Sequence, residues 1–141
     1  MESNLDIRKS MQAQVHPFCL VCSGSNPFGL AMKFEEFSEG ILTASFHANP
    51  TLEGYEGRLH GGVIAALLDG IMTNRLFAEE IVAVTAELRV RYREPVLIGA
   101  EILLRGWIEK RHAPLFLLNA ELLQEGCIRA TASAKFMQQH E

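Results

Sequence analysis

Arg58-Leu-His-Gly-Gly-Val-Ile-Ala-Ala-Leu-Leu-Asp69-Gly-Ile-Met-Thr-Asn74 decides the fold of this chain. It reads as a glycine-hinged start to a helix that is apolar on nearly every side and runs from about Gly62 to Phe77 or Glu79. Such a helix belongs inside a core, so the rest of the chain has to supply its cover. Ala65, Ala66 and Gly70 are small and let a sheet come close, while Asn74-Arg75 and Glu79-Glu80 read as the wet end. Asp69 stands alone in the middle. A carboxylate in apolar surroundings costs several kcal/mol unless it is paired or protonated. One reading makes it a structural group bonded to a neighbour such as Thr73 or facing a subunit seam. The other makes it a general base or nucleophile with a tuned pKa. Gly61 and Gly62 favour the second, because free N–H groups at a helix start form a site for negative charge, including a developing oxyanion.

Working outward, the period changes from helical to two on both sides of this stretch. Before it, Leu30–Phe37 and Ile41–His47 read as strands of a hairpin turned at Ser38-Glu-Gly40. His47 falls at the strand end. Residues 48–59 form a long loop with Pro50, Gly54 and Gly57, and loops of this length in compact domains are often functional. Glu53 and Glu56 are its carboxylates, and either can reach a site at the helix mouth.

After the helix, Ala83–Val96 is a long strand stopped by Glu94-Pro95. Ala86, Leu88, Val90 and Tyr92 take one face; Glu87, Arg89, Arg91 and Arg93 take the other. The arginine row is either a solvated outer face or a phosphate clamp, since the guanidinium fork matches phosphate geometry. Further strands follow at Glu101–Arg111, Leu115–Gln124 and Cys127–Met137. Ala130, Ala132, Ala134 and Phe136 face in on the last, small enough to lie against a buried helix. A hairpin, a long helix and a four-strand meander make an α+β layout: one curved antiparallel sheet around one helix. One sheet on one helix leaves an edge and an open face that invite a second copy of the chain.

The 141 residues fit one domain, residues 17–141, behind an N-terminal arm or short helix at residues 1–16. Hydrophobic content of 48%, charged content of 21% and a formal charge of −4 describe a globular protein and argue against general nucleic-acid binding. No apolar run approaches the roughly 18 residues of a membrane span, and the first residues lack a signal-peptide core. A cytoplasmic protein with no membrane partner is expected. Three cysteines argue against a disulfide framework. Cys19-Leu-Val-Cys22 with His16 three residues earlier lacks the second ligand pair of a usual zinc site, so the thiols read as structural and no metal is expected.

Four segments, in order and at these spacings, resemble the hotdog-fold acyl-CoA thioesterases of the phenylacetate-degradation (PaaI-like) type. They are Cys19-Leu-Val-Cys22 with Asn26-Pro-Phe-Gly-Leu30; Gly57 to Asp69; Val84-Thr85 to Pro95; and Gly126 to Phe136. The resemblance implies a homodimer, often a homotetramer built as a dimer of dimers, with active sites at the seam and CoA as part of the substrate rather than a cofactor. Within it, Asp69 matches the base or nucleophile, and Gly61, with Gly62 beside it, the donor to the thioester oxygen. His60 matches the motif histidine. Thr85 falls where a Ser or Thr is contributed across the seam to orient water. Arg89, Arg91 and Arg93 then gain a use as contacts to the CoA phosphates. One position departs: several members carry Asn or Gln six residues before the histidine, and Gly54 stands there. The missing amide favours an alternative reading, a non-catalytic acyl-CoA-binding hotdog protein. A hydratase reading lacks its Asp-x4-His pattern.

Overall fold

The computed structural model describes residues 2–140. The elements are α1 (Asn4–Val15), β1 (Lys33–Ser38), β2 (Ile41–His47), a 3-10 turn (Pro50–Leu52), α2 (Gly61–Phe77), β3 (Ala83–Tyr92), β4 (Glu101–His112), β5 (Leu115–Gln124) and β6 (Cys127–Gln138). The strands form one antiparallel sheet in the order β1-β2-β4-β5-β6-β3, and α2 lies across its inner face. The expected hotdog layout is therefore present.

The core is the contact between that face and α2. Alternation puts Leu42, Ala44, Leu104, Phe116, Leu118, Leu122, Ala130 and Phe136 against Leu67, Leu68, Ile71 and Met72. Gly106 of β4 allows the approach: a Cβ there would sit 3.3 Å from both the side chain and the backbone of Ile71. In the β1–β2 turn, Glu39 (φ 51°) and Gly40 (φ 79°) both take the left-handed conformation that matches hairpin twist.

Two expected strand bounds change. First, β1 begins at Lys33 rather than Leu30, because Leu30 and Met32 hand their N–H groups to Leu20 and Val21 carbonyls of the preceding loop. Second, β3 ends at Tyr92, where Arg93 and Glu94 instead donate to the Arg129 carbonyl. Of the arm or short helix expected before position 17, the described residues form the helix. Ser3 and Asp6 close a capping box on α1, and α1 docks on α2. Arg8 is the anchor. Its guanidinium lies 3.8 Å over the Phe34 ring and donates to Asn74 Oδ1 at 2.7 Å.

That docking covers part of the expected wet end of α2. Asn74 is fully buried, and Arg75 is 3% exposed. Arg75 Nε donates to the Gly40 carbonyl (2.7 Å), and Glu79 takes Arg75 Nη1 at 2.6 Å and both Arg111 Nη atoms at 2.8 and 2.6 Å. Asn74 and Arg75 are thus covered by α1 and the β1–β2 turn, while Glu79 is part-exposed and Glu80 exposed, as expected.

Candidate functional site

Two clusters of chemistry-bearing groups lie along the first half of α2. The first is the helix mouth. Loop 53–59 folds back through the Gly54 N–H to the Arg58 carbonyl, and the His60 N–H is tied to the Leu52 carbonyl. His60 caps α2 from extended backbone (φ −59°, ψ 133°), and its Nδ1 accepts the Gly62 N–H at 2.8 Å. Gly62 is therefore not a free donor, contrary to expectation. The Gly61 N–H, in the first helical position, has no acceptor among the described residues. Tyr92 Oη donates to the Gly61 carbonyl at 2.7 Å and holds that peptide in place. A cleft of about 600 Å³ opens here, lined among others by Gly54, Tyr55, Arg58, His60, Gly61, Tyr92 and Arg93.

The second cluster is Asp69. Its carboxylate Oδ1 accepts the Thr85 hydroxyl at 2.7 Å. Thr73, the neighbour considered from sequence, instead donates to the Asp69 carbonyl. Strict alternation would point Thr85 to the outer face with Glu87. A β-bulge between Thr85 and Glu87 resets the phase, so that Thr85 opposes the buried Phe136 and Leu88 opposes Ala134. Thr85 thus reaches Asp69 of its own chain, which corrects the expectation that the hydroxyl is delivered across a seam. Burial raises the Asp69 carboxyl above its ordinary range, while the Thr85 hydrogen bond and charge on His16 pull it back. Burial in turn lowers the His16 imidazole, and Asp69 opposes that shift.

The two clusters are separate within one chain. Eight residues of helix at about 1.5 Å each put Gly61 some 12 Å from Asp69 along the axis. One thioester carbonyl cannot be polarised by the first and attacked under the second.

The other expected contacts divide. Arg93 lines both the cleft at the helix mouth and the outer groove that Arg89 and Arg91 line. Arg89 pairs with Glu87 at 3.0 Å on the outer face, and with Arg91 it lines that groove beside Trp107. Glu56 is exposed and does not line the mouth; Glu53 accepts the Gly57 N–H at 2.6 Å and shapes the loop. Arg58 and Tyr55 were missed. Both line the mouth, and Arg58 was visible as the cation two residues before His60. Gly54 packs so closely that a Cβ there would stand 3.1 Å from His60 Cα.

With this geometry in view, the chain can be placed among known proteins. A family model described as the thioesterase superfamily matches residues 56–130, from the loop before α2 to the middle of β6. The chain belongs to that superfamily. The mouse acyl-coenzyme A thioesterase THEM4 is 25% identical over 114 residues, which cover 77% of this chain and 49% of the relative, so the chain spans about half the length of that protein. Among solved structures, smu.793 of Streptococcus mutans bound to acetyl CoA superposes with a TM-score of 0.73 at 18% identity, covering 78% of this chain and 90% of that one. A thioesterase-like, phenylacetic acid degradation-related protein of Ralstonia eutropha gives 0.71 at 24% identity, covering 77% and 85%. The hotdog fold and the thioesterase resemblance read from the sequence both hold. No helix among the described residues is long and apolar enough to cross a membrane.

Proposed function

We propose that this chain is an acyl-CoA thioesterase that works as a homodimer, with each active site assembled from Asp69 of one copy and the helix mouth of the other. The observation that carries the reading is Asp69 itself. It is a half-buried carboxylate with a raised pKa, aligned by the Thr85 hydroxyl, on a side of α2 that the chain's own sheet leaves uncovered. Gly62, Ala65, Ala66 and Asp69 share that side. Edge strand β3 beside it has Val84 52%, Leu88 36% and Tyr92 54% exposed, although Leu88 and Tyr92 oppose inward-facing alanines. Small helix residues, a bare strand edge and half-covered apolar side chains suit a second copy paired along β3. Antiparallel pairing would bring the partner's Gly61 N–H toward this Asp69.

In that site the Gly61 N–H polarises the thioester carbonyl, and Asp69 attacks the carbonyl carbon or activates the water that does. The products are the free acid and CoA. CoA is part of the substrate, and the step uses no cofactor. Arg93 and Arg58 are the cations best placed for its phosphates; Arg89 and Arg91, on the outer groove, are less so. The likeness to the mouse acyl-coenzyme A thioesterase supports the substrate class. The protein acts in the cytoplasm on this reading.

The test is free-thiol release from short, medium, long and aryl acyl-CoAs. Asp69→Ala and Gly61→Pro should each abolish it. Proline is suited to the first helical position, where the N–H is unpaired anyway, so Gly61→Pro removes the donor and keeps the helix. Mixing the two dead variants during refolding should restore about a quarter of the sites, because half of random dimers carry one intact pair. Dimers without recovery would sink the composite site. Acyl-CoA binding without turnover in the wild type would establish the non-catalytic alternative that Gly54 favours.

A further inference from the structure

We propose that His16, Cys19 and Cys22 form a binding site for a thiolate-preferring divalent metal ion, zinc above all, which fastens the end of α1 to the loop that presses on α2. The inference is independent of the thioesterase reading. The three side chains come from the C-cap of α1 and the turn that follows it, and their ligand atoms all lie within 4.8 Å of one another. The His16 Nδ1 to Cys22 Sγ distance is 3.7 Å. Tetrahedral zinc bonds of about 2.3 Å to sulfur and 2.0–2.1 Å to nitrogen require roughly 3.6 Å across that edge. The pair therefore already has the spacing of two ligands of one ion.

Two further observations point the same way. Cys19 Sγ accepts the N–H groups of Val21 (3.4 Å) and Cys22 (3.5 Å). A neutral thiol is a weak acceptor, whereas a metal-bound thiolate gains from such outer bonds, which also fix its direction. Beside Cys22 stands Arg8, a guanidinium only 7% exposed. It has no carboxylate among its partners, and its Nε has no acceptor at all among the described residues. Metal binding at Cys22 would supply the anionic neighbour that this cation lacks. Cys2His with solvent in the fourth position is an established zinc ligand set. The site bears on the fold through Val21, whose Cγ1 comes so near Gly70 that a Cβ there would stand 2.5 Å from it. In the sequence His16 stands beside the CxxC, and the thiols read as structural for want of a second ligand pair; the turn after α1 brings the three ligand atoms together.

The experiment is cobalt(II) titration of the reduced, metal-stripped protein, followed by visible and near-ultraviolet absorption, with metal content of the protein as purified. The expected result is one equivalent of ion per chain, thiolate-to-cobalt charge-transfer bands with tetrahedral d–d bands, and displacement by one equivalent of zinc. Cys19→Ser and His16→Gln should each weaken cobalt binding roughly a hundredfold, since even outer-sphere losses cost 10–100-fold. Cys127→Ser, at an exposed thiol remote in sequence, should bind as wild type. The proposal is overturned by wild-type protein without charge-transfer bands, by binding that survives Cys19→Ser, or by a Cys19–Cys22 disulfide that persists after reduction. The wild-type spectrum decides the matter even where a variant fails to fold.

Discussion

The two halves of α2 treat their polar groups in opposite ways. From Gly70 to Phe77 the helix is buried throughout, and its polar side chains are met inside the chain: Asn74 by Arg8 and the Gly70 carbonyl, Arg75 by Glu79, the Gly40 carbonyl and the face of Phe37. From Gly61 to Asp69 the same helix has an open side, an unpaired Gly61 N–H and a carboxylate that burial works against. Polar groups that hold a fold are saturated by it. Groups that await a substrate or a second copy are left short of partners at some cost in stability. The contrast separates Arg75 from Asp69 better than residue type does, since each is a charge on one helix.

The largest effect expected from breaking the contrast lies in the open half. Asp69→Ala should lower kcat for the best acyl-CoA by about a thousandfold, within the range of a lost general base. Retained turnover in a folded variant would remove Asp69 from the chemistry. In the saturated half the largest effect is on stability. Glu79→Gln leaves Arg75 and Arg111 without their carboxylate and should cost about 1–2 kcal/mol by urea denaturation, since Glu79 and Arg111 are partly screened by solvent. The two arginines, Arg111 first, hold the Glu79 carboxyl below its ordinary range. Its contribution is therefore present above the unfolded pKa and lost as pH falls through the depressed folded one. The variant should close the gap with wild type in acid and show its full deficit at neutral pH.

A smaller effect sharpens the site. Thr85→Val removes the bond that stabilises ionised Asp69, so the acid limb of the kcat/KM–pH profile should move to higher pH, with turnover at neutral pH down about tenfold. An unmoved limb would assign that limb to another group. The smallest effect runs opposite to its effect on activity. The folded pKa of Asp69 is raised, so the stability linked to this group is present below the unfolded pKa and lost as pH rises through the folded value. At neutral pH the charge is a burden. Asp69→Asn should raise Tm by about 3 °C while abolishing turnover, and a lowered Tm would mean that the carboxylate is structural.

The architecture was legible because it rests on two periodicities that rarely deceive over long segments: an apolar run too long and too uniform for a surface helix, and strands with strict alternation such as Ala130 to Phe136. Asp69 and Gly61 stood out as candidates because a lone charge and a glycine pair are conspicuous in such a run. What stayed hidden depended on who covers whom. Asn74 and Arg75 look like helix-end solvent residues until α1 lies over them, and the polarity of α1 gave no hint that Arg8 faces inward. Gly62 carries the same donor as Gly61 in sequence; only the His60 imidazole, folded back onto it, tells them apart. Thr85 fell on the wrong face by parity, since a one-residue irregularity leaves no mark in composition. The separation of Gly61 from Asp69 was derivable from helix rise alone and became decisive once the pair was asked to serve one carbonyl.

The bulge in β3 makes parity itself a functional setting. Straightening β3 at constant length would pair Ala86 with Phe136 and leave Thr85 in ordinary alternation, its hydroxyl turned to the outer face. The chain would keep its sheet, its helix and its carboxylate, and lose the partner that aligns that carboxylate. One position of register, with no change in any side chain, is enough to disconnect Asp69 from Thr85.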